Sequence, residues 1–257
     1  MIRIAFPEIG EHRIDRAIEN TIGEFPHYEP VKAELREALT MLRDGKVDAV
    51  IAGRTHTSLE VIKACQDILG KRSDTTVFSG NVITGKGKLI ADVACCKKPD
   101  ARQLKDIIVQ AHDLYQKIYH FEPAIAVLSY STQGSGGWTP ELEVLRYVVK
   151  CVKEEHPEYI INGEVQLDVA LDWEVADEKQ ERILQGEAEV LICPDLNSGN
   201  ILYKAMSVYA GETMAGPILT GFNGIVSDLS RGSGIDDIEE TIKNVIKLIN
   251  ERNKNEH

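Results

Sequence analysis

The stretch SDLSRGSGIDDIEE, residues 227–240, brings a hydroxyl (Ser230), a guanidinium (Arg231) and a carboxyl (Asp237) into one short loop and one helical turn. Ser233 and Asp236 match the capping spacing [ST]-x-x-[DE], and Ile238, Ile242, Val245, Ile246 and Ile249 follow at helical spacing. A cap accounts for Ser233 and Asp236 but leaves Ser230, Arg231 and Asp237 without a purpose. An arginine at a helix N-terminus opposes the macrodipole, so its position there asks for a bound anion.

Two further loops are dense in polar groups. In AVLSYSTQGSGGWTPELEVL an apolar run leads into Ser129, Ser131, Thr132, Gly134, Ser135, Gly136 and Gly137 before a helix that opens near Pro140. Glycines, hydroxyls and a helix N-terminus together suit a phosphate. A plain connector with Thr139 as N-cap and Pro140 at the first helical position accounts for the same residues. Neither G-x-x-x-x-G-K-[ST] nor G-x-G-x-x-G is present. In LICPDLNSGNILYK, residues 191–204, Asp195, Asn197, Ser198 and Asn200 crowd a helix start and Lys204 follows one turn later. An N-cap explains only part of that crowding, so this loop is expected to face a ligand.

These loops need elements to hold them. Short β-branched runs alternate with amphipathic stretches, the pattern of an α/β fold with largely parallel strands. Strands are expected at 2–6, 48–52, 76–83, 89–96, 124–131, 159–163 and 188–194. Helices are expected at about 11–21, 31–44, 58–70, 101–119, 140–155, 198–210 and 236–251. The pair 76–83 and 89–96, joined by TGKGK, reads as a β-hairpin that interrupts the alternation. In such sheets ligands bind beyond the carboxyl ends of the strands, where all three loops fall.

Composition narrows the partners. A net charge of −12 disfavours nucleic acid and anionic membrane surfaces, though a few focused cations can still bind a small anion. No apolar run reaches the ~20 residues of a bilayer span, and MIRIAFPEIGEHRID lacks the pattern of a signal peptide. The cysteines (Cys65, Cys95, Cys96, Cys151, Cys193) contain no C-x-x-C pair and read as reduced thiols of a cytoplasmic protein. The adjacent Cys95 and Cys96 are the pair in which redox activity would be sought. Histidines do not cluster at ligand spacing, so no metal is expected.

Taken together, LSYST followed by GSG, INGEVQLDVAL (161–171), PDLNSGN followed by YK, GPILTGF (216–222) and DLSRG followed by DDI resemble the phosphate acetyl/butyryltransferase family, phosphotransacetylase in particular. RIAFPEIGEHRIDRAIE and DAVIAGRTHTS (48–58) are similar to the family's opening strand and helix and its DGMVSGAxxT segment. The resemblance implies two three-layer α/β/α lobes of the isocitrate/isopropylmalate dehydrogenase-like architecture with a cleft between them. It divides the chain into a first lobe of 1–74 plus 222–257 and a second of 75–221. The implied reaction moves an acetyl or other short acyl group between phosphate and coenzyme A by direct thiolate attack in a ternary complex. Coenzyme A is then a substrate, no further cofactor is needed, and a homodimer is implied. By motif position Asp237 would be the base, Arg231 the phosphate or acyl ligand, and Ser230 the oxyanion donor. Ser129, Ser131, Thr132, Gly134 and Ser135 would help hold phosphate or CoA, with Asn197, Asn200 and Lys204 lining the cleft.

The chain is shorter than typical members, and the loss falls in the first lobe. A basic, arginine-bearing segment of the family has no clear counterpart there, and a second family arginine aligns with Lys63. That exchange keeps the charge and loses the bidentate fork; Arg54 or His56 would compensate. A non-catalytic relative that binds CoA or acyl phosphate is the alternative function. An oxidoreductase is a third, and it lacks the clustered carboxylates and nicotinamide site it would need.

Overall fold

A computed structural model describes residues 1–255. Its first part alternates β1 (Ile2–Phe6), α1 (His12–Glu24), β2 (Tyr28–Lys32), α2 (Leu35–Arg43), β3 (Ala49–Ala52) and α3 (Ser58–Ile68). The hairpin β4 (Ser79–Thr84) and β5 (Leu89–Ala91) follows, then α4 (Ala101–Tyr119), β6 (Ala124–Leu128), α5 (Pro140–Glu155) and β7 (Ile160–Val165). Two short helices, α6 (Leu167–Leu171) and α7 (Trp173–Glu178), precede β8 (Val190–Ile192) and α8 (Leu196–Ala210). The chain then returns through β9 (Met214–Thr220) and β10 (Ile225–Asp228) into α9 (Ile235–Asn255).

The strands form one ten-stranded sheet in the order β2-β1-β3-β10-β9-β4-β5-β8-β6-β7. Both flanks are parallel, as the α/β alternation predicts, and the middle run β10-β9-β4-β5 is antiparallel. Period-two alternation sends side chains to opposite faces. Ile4, Phe6, Ala49 and Ile51 join Ile14 of α1 and Ile238, Ile242, Val245 and Ile249 of α9. Ala5, Val50 and Ala52 pack instead on α2 and α3 through Leu39, Leu42 and Val61. On the other flank Ile125, Val127, Val190 and Ile192 meet α4 and α5, while Ala126, Leu128 and Leu191 meet α6, α7 and α8. The result is helix, sheet, helix throughout.

Caps stop and start the helices where the sequence requires. Thr57 and Glu60, Asp100 and Gln103, and Asp195 and Ser198 each form reciprocal capping boxes at α3, α4 and α8. Three strands lie outside the sequence expectation. Val31 and Lys32 belong to edge strand β2 rather than to a helix from 31, and Pro30 is tolerated there because an edge can lack a donor. β9 carries Gly216 and Pro217, which read locally as breakers, yet pairing with β4 and β10 holds it as a strand. β10 is only four residues long.

Candidate active site

A cavity of about 620 Å³ opens where the connections after β3, β5, β8 and β10 meet. His56 and Ser58 line it from the β3 side, Val93 and Ala94 from β5, Asn197, Asn200 and Lys204 from α8, and Asp228, Ser230 and Arg231 from β10. Helix α8 is set against the sheet at its first turn, since a Cβ on Gly199 would lie 2.1 Å from the Asp92 carbonyl oxygen. The Asn200 amide donates to the Val93 carbonyl at 3.2 Å. One turn on, the half-buried Lys204 ammonium reaches across the cavity and donates to Ser230 Oγ at 2.6 Å. The Gly232 amide donates to the same oxygen at 3.1 Å. With two donors on its oxygen, the Ser230 hydroxyl is left to donate its own proton to a third group, the polarity an oxyanion requires.

The loop after β10 is braced from behind. Arg54 Nη1 donates to the Arg231 carbonyl at 2.6 Å while Nη2 pairs with Glu11 at 3.4 Å. Arg13 Nη1 donates to the Ser233 carbonyl at 3.0 Å. The Arg231 side chain is itself exposed at the cavity. Arg54, expected among the ligand-binding groups, therefore supports the loop from outside the cavity lining. Lys63 is exposed on α3 and does not line the cavity either.

Asp237 differs from the expectation. Its Oδ1 accepts from the Met214 amide at 2.7 Å and its Oδ2 from the Gly234 amide at 2.8 Å, and it does not line the cavity. Because α9 begins at Ile235, Gly234 holds the N-cap position and Asp237 the third helical position. The capping role expected of Ser233 and Asp236 is thus performed one residue later, by the carboxyl expected to be the base.

An acid that sequence reasoning passed over lines the cavity, and a second, Glu8, stands behind it against His56. Asp228, the last residue of β10, is 2% exposed and lines the cavity, with the Ser58 hydroxyl beside its carboxyl. Burial is the main cause that pushes its carboxyl up to about 6, aided by the neighbouring Glu8, while Ser58, His56 and Lys204 pull the other way. Glu8 Oε1 accepts from the amides of Gly53 and Thr55 and meets His56 Nδ1 at 2.8 Å. The available signal was a carboxyl closing an apolar run, IVSD, inside the DLSRG motif itself.

The serine- and glycine-rich loop also departs from its expected role. Ser131 Oγ and the Gly134 amide donate to Glu164 Oε1 at 2.9 and 2.8 Å, and Arg146 grips the same carboxylate through Nε and Nη2 at 2.8 and 2.9 Å. Burial works against that charge, but Arg146 and the loop donors prevail and hold Glu164 down at about 2. Thr132 donates to Gln166, and Ser135 Oγ accepts from the Thr132 amide. Two of the donors expected to hold phosphate, Ser131 and Gly134, are thus spent on an internal carboxylate. None of Ser129, Ser131, Thr132, Gly134 and Ser135 lines the 620 Å³ cavity, and Ser129 lines a separate one of about 790 Å³ with Leu142 and Leu145. Burial, with Asp92 adding to it, pushes the Cys95 and Cys96 thiols up, which disfavours the reactive thiolate.

In both sequence and fold the chain is similar to known phosphate acetyltransferases and phosphotransacetylases. The phosphate acetyltransferase of Treponema pallidum is 32% identical over 252 residues, covering 90% of this chain and 75% of that protein. The phosphate acetyltransferase of Buchnera aphidicola is 35% identical over 210 residues, covering 80% of this chain but only 29% of that protein, so this chain spans under a third of its length. A phosphotransacetylase structure from Streptococcus pyogenes superposes with a TM-score of 0.81 at 23% identity, covering 98% of this chain and 94% of that one, which fixes the fold. The profile of the family described as Phosphate acetyl/butaryl transferase matches residues 3–245. With nearly the whole length matched, the chain belongs to the Phosphate acetyl/butaryl transferase family.

Proposed function

We propose that this chain is a phosphate acyltransferase that reversibly transfers an acetyl or other short acyl group between phosphate and coenzyme A. In the forward sense the thiol sulfur forms a bond to the acyl carbon and the carbon–oxygen bond to phosphate breaks, its electron pair leaving on the phosphate oxygen. The thiol must first lose its proton, since its ordinary pKa is about 8.5. Ser230 donates to the carbonyl oxygen as charge gathers there, and Lys204 strengthens that donor by bonding to its oxygen. Arg231, exposed at the cavity beside them, takes the phosphate. Asn197 and Asn200 offer amides along the α8 side.

The observation that carries this reading is the 2.6 Å contact from Lys204 to Ser230 across a cavity that Arg231 also lines. The carbonyl oxygen and the phosphate of the reacting acyl phosphate then each meet a donor or a cation. The two proposed lobes are 1–74 with 222–257, and 75–221. A cytoplasmic homodimer is proposed on the family resemblance. Among the described residues no helix is long and apolar enough to cross a membrane.

Purified protein given coenzyme A and acyl phosphates of increasing chain length should form thioester. Arg231→Ala should cut kcat by about 10²-fold or more, as loss of a group that stabilises transition-state charge does. Saturable binding of coenzyme A with no thioester at any chain length would instead assign the protein as a non-catalytic binder.

A further inference from the structure

We infer that His56, held from behind by the buried Glu8, gives the departing phosphate its proton. The inference rests on the acyl-transfer reading above and supplies a group which that reading still lacks. The thiol enters with a proton that the thioester does not keep. Acyl phosphate reacts as a dianion and its phosphate ends as hydrogen phosphate, so one proton leaves sulfur and one arrives at phosphate. Without a donor the phosphate would depart as a trianion, a far stronger base than the thiolate that displaces it. Taking the thiol proton and delivering the phosphate proton are separate tasks, and the second calls for a general acid.

His56 lines the cavity together with Ser230 and Arg231, and its side chain is 28% exposed. Its Nδ1 lies 2.8 Å from Glu8 Oε1, which also accepts from the Gly53 and Thr55 amides at 3.0 and 3.2 Å. An oxygen that faces two amide N–H groups is the acceptor, so Nδ1 carries a proton. Nε2 is then the nitrogen left for a ligand, and it has no hydrogen-bond partner among the described residues. The Glu8 side chain is only 2% exposed and is fixed by amides of the same loop, so the ring that it holds is fixed as well.

In such a pair the carboxylate sets the tautomer and stabilises the positive ring that exists before the proton is given up. Charged groups face His56 from every neighbouring element: Glu8 after β1, Glu60 on α3, Asp228 at the end of β10, Arg231 beyond it and Lys204 on α8. Hydrogen bonds from Thr57 hold the Glu60 carboxyl below its ordinary value, and the charges of His56 and Arg231 add to that effect. In the step itself the thiolate sulfur bonds to the acyl carbon, and the carbon–oxygen bond to phosphate breaks with its pair on oxygen. A phosphate oxygen takes the Nε2 proton. The ring keeps the N–H pair and becomes the neutral Nδ1–H tautomer that Glu8 already holds. Solvent then returns a proton to Nε2 while the base releases the one taken from the thiol. In the reverse direction Nε2 accepts the proton of hydrogen phosphate as it attacks the thioester.

The test is kcat and KM for acyl phosphate in wild type, His56→Ala, His56→Asn and Glu8→Gln, with melting curves for each. In His56→Asn the carboxamide falls at the Nδ1 position, so the bond to Glu8 is kept and Nε2 is lost. Both His56 variants should lower kcat by about 10²-fold or more, with KM within about threefold of wild type. Imidazole in the buffer should restore kcat of His56→Ala by about fivefold or more and leave wild type unchanged. In Glu8→Gln the carbonyl oxygen must occupy the place that faces two amides, so the tautomer survives and the charge is lost. Its kcat should fall by about 10-fold or more. A merely structural histidine would give wild-type kcat in His56→Asn and no response of His56→Ala to imidazole. A simple phosphate-binding cation would raise KM by about tenfold or more with kcat kept. Either result overturns the assignment. Absence of turnover in wild type itself would refute the acyl-transfer reading instead, so the two failures are distinct.

Discussion

Replacing Glu164 with alanine separates a loop built around an internal carboxylate from a loop built around phosphate. Glu164 is 2% exposed and receives donors from Ser131, Gly134 and Arg146. Its removal strands one buried donor, the Ser131 hydroxyl, at roughly 1–3 kcal/mol. The Gly134 amide and Arg146 are left out of that figure because Gly134 is exposed and the Arg146 side chain is 31% exposed, so water can replace the carboxylate. For a chain of 257 residues the unfolding entropy is on the order of 0.5 kcal/mol per degree, so Tm should fall by about 2–6 °C. The sign of the pH dependence follows from the carboxyl being held down at about 2. Its stabilisation is complete above the ordinary glutamate range, near 4.3, and disappears as the pH drops from there towards 2. The gap in Tm between wild type and variant should therefore be full at pH 7 and narrow below about pH 4. Melting curves across that range, with KM for phosphate at 25 °C, make the assay. KM should stay within about threefold, equivalent to ~0.6 kcal/mol. An unchanged Tm combined with a tenfold or larger rise in KM for phosphate would refute this account, because the loop donors would then be serving the substrate.

Two further perturbations probe the helix that carries Lys204. Gly199→Ala places a Cβ 2.1 Å from the Asp92 carbonyl oxygen, so α8 must shift; a loss of ~1–3 kcal/mol by denaturant titration is expected. Turnover should fall with it, because Asn200 and Lys204 move with the helix. Lys204→Met keeps the stem and removes the donor to Ser230, so kcat should drop by roughly 10-fold or more while KM for coenzyme A changes little. A kcat equal to wild type would detach Lys204 from the chemistry.

Much of this fold was legible because its signals are local. The alternation of apolar runs predicted the parallel flanks and the hairpin β4–β5, and α4 spans the residues that its spacing marked, 101–119. β2, β9 and β10 escaped because their strand character comes from neighbours: Pro30, Gly216 and Pro217 argue locally against strands that pairing nevertheless enforces. At the site, motif order brought Ser230, Arg231, Asn197, Asn200 and Lys204 to one cavity. Spacing could not say which way each donor faces. Hydroxyls and glycines suit a carboxylate as well as a phosphate, and only the fold reveals that Glu164, some thirty residues further along, fills that place. Nor could it reveal that Asp237 answers two amides while Asp228, hidden in an apolar strand, lines the cavity.

Helix α9 follows every other element in chain order, yet it completes the core begun by β1 and α1, through Ile238, Ile242, Val245 and Ile249 against Ile4, Phe6 and Ile14. Arg252 ties its far end to Asp48 just before β3. During synthesis, then, the opening strands must wait for a partner more than two hundred residues downstream, while the 75–221 stretch already has its own helices on both faces. The loop bearing Ser230 and Arg231 is the tether that leads into that late helix. A ribosome that stalls before α9 would release a chain with all ten strands made but with the apolar face of β1 and β3 lacking its α9 cover. Quality control would meet it as a chaperone client, long before any question of acyl transfer arose.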